Sequence, residues 1–117
     1  MVKVGIIGGS GLDNPGLLNN FQEINVDTPY GKPSSSLITG RLDGIEVVIL
    51  SRHGPKHSIM PSNVPFRANI YALKKQGCNH ILATTAVGSL KEEIKPGDLV
   101  FLDQFIDHTR KREVTFF

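Results

Sequence analysis

Cysteine is almost absent from this sequence: Cys78 is the single one among 117 residues. A lone cysteine excludes an internal disulfide framework, and it reads more plainly as a small buried side chain than as a reactive thiol. Charge excess is also small. The formal net charge of +2 is too low to imply a nucleic-acid partner, and the one basic cluster, Arg110-Lys111-Arg112 just beyond His108, reads as a solvated loop. No long apolar run is present, so no membrane partner is expected. Neither a charged leader nor a cleavage-site pattern precedes the first strand-like run, so no secretory signal is expected either. The setting these absences favour is reducing and cytoplasmic, with the nucleus as a second compartment.

Motifs that would assign a common nucleotide chemistry are missing as well. A dinucleotide fingerprint started at Gly9 runs Gly9-Ser10-Gly11-Leu12-Asp13 and then meets Asn14 where glycine is required. A P-loop fails twice: Pro33 follows Gly31-Lys32 where a hydroxyl residue belongs, and Val26 stands where the leading glycine should be. His53 and His57 are four apart, but Gly54 and Pro55 between them oppose a helix that would present both to a metal. No metal site is therefore expected. There is no internal repeat, low-complexity segment or linker.

What is present is a globular composition, 39% hydrophobic and 21% charged, in a length that suits one folding unit burying roughly 60 to 70% of its unfolded surface. The run Val2-Lys3-Val4-Gly5-Ile6-Ile7 reads as a strand ending in a glycine turn. A polar stretch follows and closes with Thr28-Pro29-Tyr30-Gly31-Lys32-Pro33, an extended loop. Leu37 to Leu42 and Ile45 to Leu50 then flank Asp43-Gly44, which predicts a hairpin with a type I′ turn. The second arm ends continuously apolar, as a strand covered on both faces would, and runs into Ser51-Arg52-His53-Gly54.

From Asn63 the pattern predicts a helix, with Asn63 as cap, Pro65 in the first turn, Phe66, Ile70 and Leu73 on one face, and Lys74-Lys75 before a terminating Gly77. A buried strand His80 to Gly88 follows, then a capping box at Ser89 to Glu92. Pro96-Gly97-Asp98 makes a turn into a last strand, Leu99 to Leu102. This order of strands and helix gives an α/β fold class, a mixed central sheet with parallel members flanked by helices.

Three predicted strand ends carry polar chemistry: Gly8 to Gly11, Arg52-His53, and Thr84 to Gly88. Open α/β sheets gather ligands at the C-terminal ends of their strands. Ser10 with its neighbouring glycine amides, the forked cation of Arg52, and the hydroxyl and amides of Thr85 and Ala86 together suit an oxyanion, and phosphate fits the set. Each signal alone has a plainer explanation. Taken singly, the glycines would equally suit tight packing, Arg52 would read as a surface cation beside a satisfied histidine, and Thr84-Thr85 would read as ordinary strand residues. The three together carry the argument.

Val4 to Asp13, Thr28 to Ser34, Arg52-His53-Gly54, Met60-Pro61-Ser62, Thr84-Thr85-Ala86, Gly88-Ser89-Leu90 and Lys95-Pro96-Gly97-Asp98, in that order, resemble S-methyl-5′-thioadenosine phosphorylases of the purine nucleoside phosphorylase family. The resemblance spans nearly the whole chain. It implies a homotrimeric nucleoside phosphorylase fold in which inorganic phosphate, as co-substrate, attacks the sugar C1′ of S-methyl-5′-thioadenosine. The products are adenine and 5-methylthioribose 1-phosphate, which places the activity in purine and methionine salvage. No cofactor or metal is implied.

Carried over by that resemblance, Ser10, Arg52, His53, Thr85 and Ala86 bind phosphate, with His53 donating a hydrogen bond, and Val87 and Gly88 lie beside the nucleoside. No catalytic residue is assigned within this chain. Val87 stands where the family often has a smaller residue, which bears on substrate preference. Members are also much longer, so residues 1–117 are expected to be the N-terminal part of a single phosphorylase domain and incomplete for catalysis. Two other readings stay open: a purine nucleoside phosphorylase acting on inosine or guanosine, and a non-catalytic phosphate- or nucleotide-binding fragment.

Overall fold

The computed structural model describes residues 1–9, 11–12 and 14–117. Five strands, β1 (Lys3–Gly8), β2 (Asn19–Ile24), β3 (Leu37–Leu42), β4 (Ile45–Ser51) and β5 (His80–Ala83), form one sheet in the order β2-β3-β4-β1-β5. The sheet is mixed, as the sequence predicts. β2, β3 and β4 run antiparallel in turn, whereas β1 is parallel to both β4 and β5. Among the described residues there is one α-helix, α1 (Phe66–Lys75).

The turn joining β3 to β4 follows from its two residues. Asp43 and Gly44 both have positive φ, +49° and +81°, the backbone of a type I′ turn, whose twist matches that of the paired strands. β4 is apolar without alternation because both its faces are covered. Val48 and Leu50 join Leu37, Val26, Ala72 and Leu73 in one core, and Val47 and Ile49 pack with Leu18 on the opposite side.

α1 buries Ala68, Asn69, Ala72 and Leu73, and Ala72 and Leu73 belong to the first core. Of the expected stripe only Leu73 is fully buried; Phe66 and Ile70 are half-covered. The start of the helix differs from the sequence reading too. Asn63 lies in a preceding 3-10 turn, Pro61–Asn63, and Pro65 occupies the cap position without any side-chain cap. Two prolines four residues apart, Pro61 and Pro65, each with a fixed φ and no N–H, break the segment into two turns. The other end is as expected. Gly77 has φ +81°, its N–H donates to the Lys74 carbonyl, and the Cys78 N–H donates to the Leu73 carbonyl, the two bonds of a Schellman stop.

Cys78 packs half-buried against the first core. Burial pushes its thiol pKa up, and the nearby Lys3 charge partly opposes this. That is the behaviour of a packing residue rather than of an activated thiol.

Three expectations fail beyond β4. β5 stops at Ala83, so residues 84–88 are not strand, and its four residues are exposed rather than buried. The Ser89 hydroxyl accepts from the Lys91 N–H, which closes a local turn with no helix behind it, so Ser89 to Glu92 is not a capping box. Leu99 to Leu102 is not a strand, and its side chains are exposed. A strand exists only as a member of a ladder, and no neighbouring strand pairs with this run. The chain end does return to the body. Arg112 lies over the Phe66 ring at 4.3 Å, and Phe116 meets Tyr30 edge to face at 5.3 Å, so this part of the basic cluster is packed rather than solvated.

Candidate functional site

The parallel strands set the site. Gly8 of β1 is level with Ser51 of β4, and Ile7 is level with Ala83 of β5. The next residues, Gly9, Arg52 and Thr84, therefore leave the sheet side by side at the C-terminal ends of three adjacent strands. Two backbone bonds hold this alignment: the Arg52 N–H donates to the Gly8 carbonyl at 3.0 Å, and the Thr84 N–H donates to the Ile7 carbonyl at 3.1 Å.

The Arg52 side chain then crosses the end of β1. Its Nη1 donates to the Thr84 carbonyl at 2.8 Å, so the guanidinium spans from β4 to β5. A side-chain carbon at Gly9 would stand 3.1 Å from Nη2. Glycine at this position leaves room for the guanidinium end beside the backbone, a reason different from the backbone freedom usually credited to glycine.

His53 is fixed by its neighbours. Its Nδ1 lies 2.9 Å from the Ile59 carbonyl, an atom that only accepts, so Nδ1 carries the proton. The Ile59 N–H donates back to the His53 carbonyl at 3.1 Å. The remaining ring nitrogen, Nε2, accepts from Arg52 Nε at 3.3 Å. In this arrangement His53 steadies the guanidinium, and donation to a phosphate would require it to exchange one of these partners.

The structure thus brings Arg52, His53 and the end of β5 together. Thr85, Ala86, Val87 and Gly88 follow directly from Thr84, exposed and outside regular structure, with Val87 82% exposed. Ser10, the other predicted phosphate contact, lies outside the described residues. Among the described residues no group of three or more His, Cys, Asp or Glu side chains is placed to hold a metal, and no helix is long and apolar enough to cross a membrane. A separate cavity of about 600 Å³, lined in part by Tyr30, Asn63, Phe66, Arg67 and Arg112, sits at the start of α1, and Arg52 does not line it.

Sequence reasoning overlooks the Thr84 and Ile59 carbonyls, because a backbone oxygen carries no residue signature. It also overlooks Ser35, whose hydroxyl accepts from the Ser51 N–H at 3.0 Å. The run Ser34-Ser35-Ser36 after Pro33 is the only trace of that role.

Chemically, the set offers a planar cation held at the strand ends with its Nη2 edge over a glycine turn. Such an arrangement has the charge and the donor geometry that a tetrahedral oxyanion requires. The family model described as "Phosphorylase superfamily" matches residues 3–117. The chain belongs to the phosphorylase superfamily.

Curated relatives within this superfamily are close in sequence. The chain is 62% identical over 117 residues to the S-methyl-5′-thioadenosine phosphorylase of Xenopus tropicalis, covering 99% of this chain and 42% of that protein. It is 63% identical over 115 residues to the same enzyme of Ciona intestinalis, covering 98% and 41%. In structure it is similar to the methylthioadenosine phosphorylase of Schistosoma mansoni in complex with adenine, with a TM-score of 0.92 at 54% identity, covering 99% of this chain and 42% of that one. The same enzyme in complex with tubercidin gives a TM-score of 0.89 at 53% identity, over 97% of this chain and 39% of that one. The chain therefore spans about two fifths of the length of these phosphorylases.

Proposed function

We propose that this chain contributes the phosphate-binding part of an S-methyl-5′-thioadenosine phosphorylase, a pentosyltransferase that needs inorganic phosphate and no cofactor. The observation that carries the reading is the Arg52 guanidinium, bonded to Thr84 and His53 across three strand ends. The relatives, S-methyl-5′-thioadenosine phosphorylases, point to the nucleoside, and the Schistosoma mansoni enzyme in complex with adenine supports a purine leaving group.

In this reading phosphate sits beneath the sugar. An oxygen of phosphate forms a bond to C1′ as the C1′–nitrogen bond to the purine breaks, and the bonding pair leaves with the base, which takes up one proton to become adenine. Positive charge grows on the sugar in the transition state, so the bound dianion is both nucleophile and counter-charge. Arg52 orients it without giving up a proton, since its guanidinium stays ionised. Ser10, Thr85 and the Ala86 amide complete the phosphate contacts, His53 adds a donated hydrogen bond on exchanging one of its present partners, and Val87 and Gly88 border the nucleoside. A homotrimer in the cytoplasm belongs to the same proposal.

The native protein given S-methyl-5′-thioadenosine should release adenine only when phosphate is present, and it should release no hypoxanthine from inosine. Arg52→Ala should raise the KM for phosphate by roughly ten- to a hundredfold, the range for losing charge-assisted bonds, with the nucleoside KM little changed. Base release without phosphate, or an unaltered phosphate dependence in the Arg52→Ala variant, would overturn the assignment.

A further inference from the structure

Ser34 and Asn69 form a buried polar pair at 8% and 1% exposure, within a core otherwise made of aliphatic side chains. Asn69 Oδ1 accepts from the Ser34 N–H at 2.8 Å, and Asn69 Nδ2 donates to the Ser34 hydroxyl at 2.9 Å. Burying an amide side chain is unfavourable unless its bonds are made, and both are made to a single residue of the loop that follows Pro33. The helix thereby grips that loop at one point.

The next residue passes the grip on. The Ser35 hydroxyl donates to the Ser36 carbonyl at 2.6 Å, which leaves its lone pairs aimed at the Ser51 N–H, 3.0 Å away. Ser51 is the last residue of β4 and the immediate neighbour of Arg52. The same loop also packs against the turn beyond. Gly54 has φ +77°, and a side-chain carbon there would approach the Ser34 carbonyl to 3.3 Å. The Gly54 N–H closes that turn onto the Ser51 carbonyl at 3.1 Å.

We infer that Ser35 and Asn69 are positioning residues for Arg52: α1, through Asn69 and Ser34, sets the Ser35 hydroxyl that fixes the backbone from which the guanidinium springs. The inference rests on the phosphate-binding reading of Arg52. Neither side chain needs to touch phosphate. A guanidinium that must reach Thr84 on one side and His53 on the other tolerates little shift at its own Cα, and the loop bonds remove that freedom.

The test is the affinity of the native protein for inorganic phosphate, measured by calorimetry. Ser35→Ala should weaken it by about three- to tenfold, the range for one lost orienting hydrogen bond. Ser35→Thr should restore it, since the hydroxyl returns. In an Arg52→Ala background Ser35→Ala should have no further effect, because the residue being positioned is gone. Asn69→Ala should weaken phosphate binding to a similar degree and also lower the thermal midpoint, as it leaves the Ser34 N–H unpaired in the core; the Ser35 series stands without it. Ser35→Ala binding phosphate like the parent, or losing the same factor in both backgrounds, would refute the positioning role while leaving the phosphate site intact. A parent protein that binds no phosphate would instead bring down the phosphate-binding reading, and the inference with it.

Discussion

At the residue scale the site depends on one side chain being laid across another residue's missing one. Gly9 holds the space over which Arg52 Nη2 lies. Gly9→Ala should move the guanidinium by a few tenths of an ångström, because its far end is flexible, and should weaken phosphate binding by about two- to fivefold with little change in thermal stability. Equal affinity in the two proteins, by titration calorimetry, would show that Nη2 has room to spare. Arg52 and His53 are legible from sequence because they follow an apolar run directly, at a strand's exit. The partners that hold them are not. Thr84 lies 32 residues from Arg52 in sequence, and Ser35 meets Ser51 across 16; contacts of that kind arise from folding and leave no local pattern.

At the element scale the legible parts are those with a physical reason to show a pattern. The hairpin of β3 and β4 is visible because Asp43-Gly44 suits one turn type and because β4 is buried on both faces. The end of α1 is visible in Lys74-Lys75-Gln76-Gly77. β2 is not visible, because it is an edge strand with nearly every residue exposed and a register irregularity between Asn19 and Gln22, so no face imposes an alternation. The opposite error occurs at Leu99 to Leu102, where an apolar run suggests a strand that has no ladder to join. α1 is joined to the sheet chiefly through Leu73, which is fully buried. Leu73→Ala should therefore destabilise the fold by about 2 to 5 kcal/mol, read from urea midpoints. A smaller loss would mean that Ile7, Ile24 and Cys78 close the gap.

At the scale of the whole molecule, the described residues fall into a sheet with its helix and a largely exposed segment from Thr85 to Lys111, after which the chain end packs back on Phe66 and Tyr30. Leu99, Phe101, Leu102, Phe105 and Ile106 are each at least 76% exposed, and β5 offers an unpaired outer edge. Surface of this kind promotes association. The 117-residue chain studied alone should scatter light and bind a hydrophobic dye more strongly as its concentration rises, and a monodisperse monomer at high concentration would contradict the exposure described. The matched phosphorylases are more than twice this length, and within residues 1–117 it is the fold class and the strand-end positions of Arg52 and His53 that the sequence makes legible.

The clasp between Arg52 and the Thr84 carbonyl also has a consequence in time. It joins segments that are far apart along the chain, and β5 brings little buried surface of its own, so its docking belongs late in folding. A ligand that needs the clasp can grip only the finished native state. Inorganic phosphate should then lengthen the lifetime of the folded protein, slowing unfolding in stopped-flow jumps into urea, while leaving the refolding rate where it was. Faster refolding in phosphate would place the clasp in the folding nucleus instead.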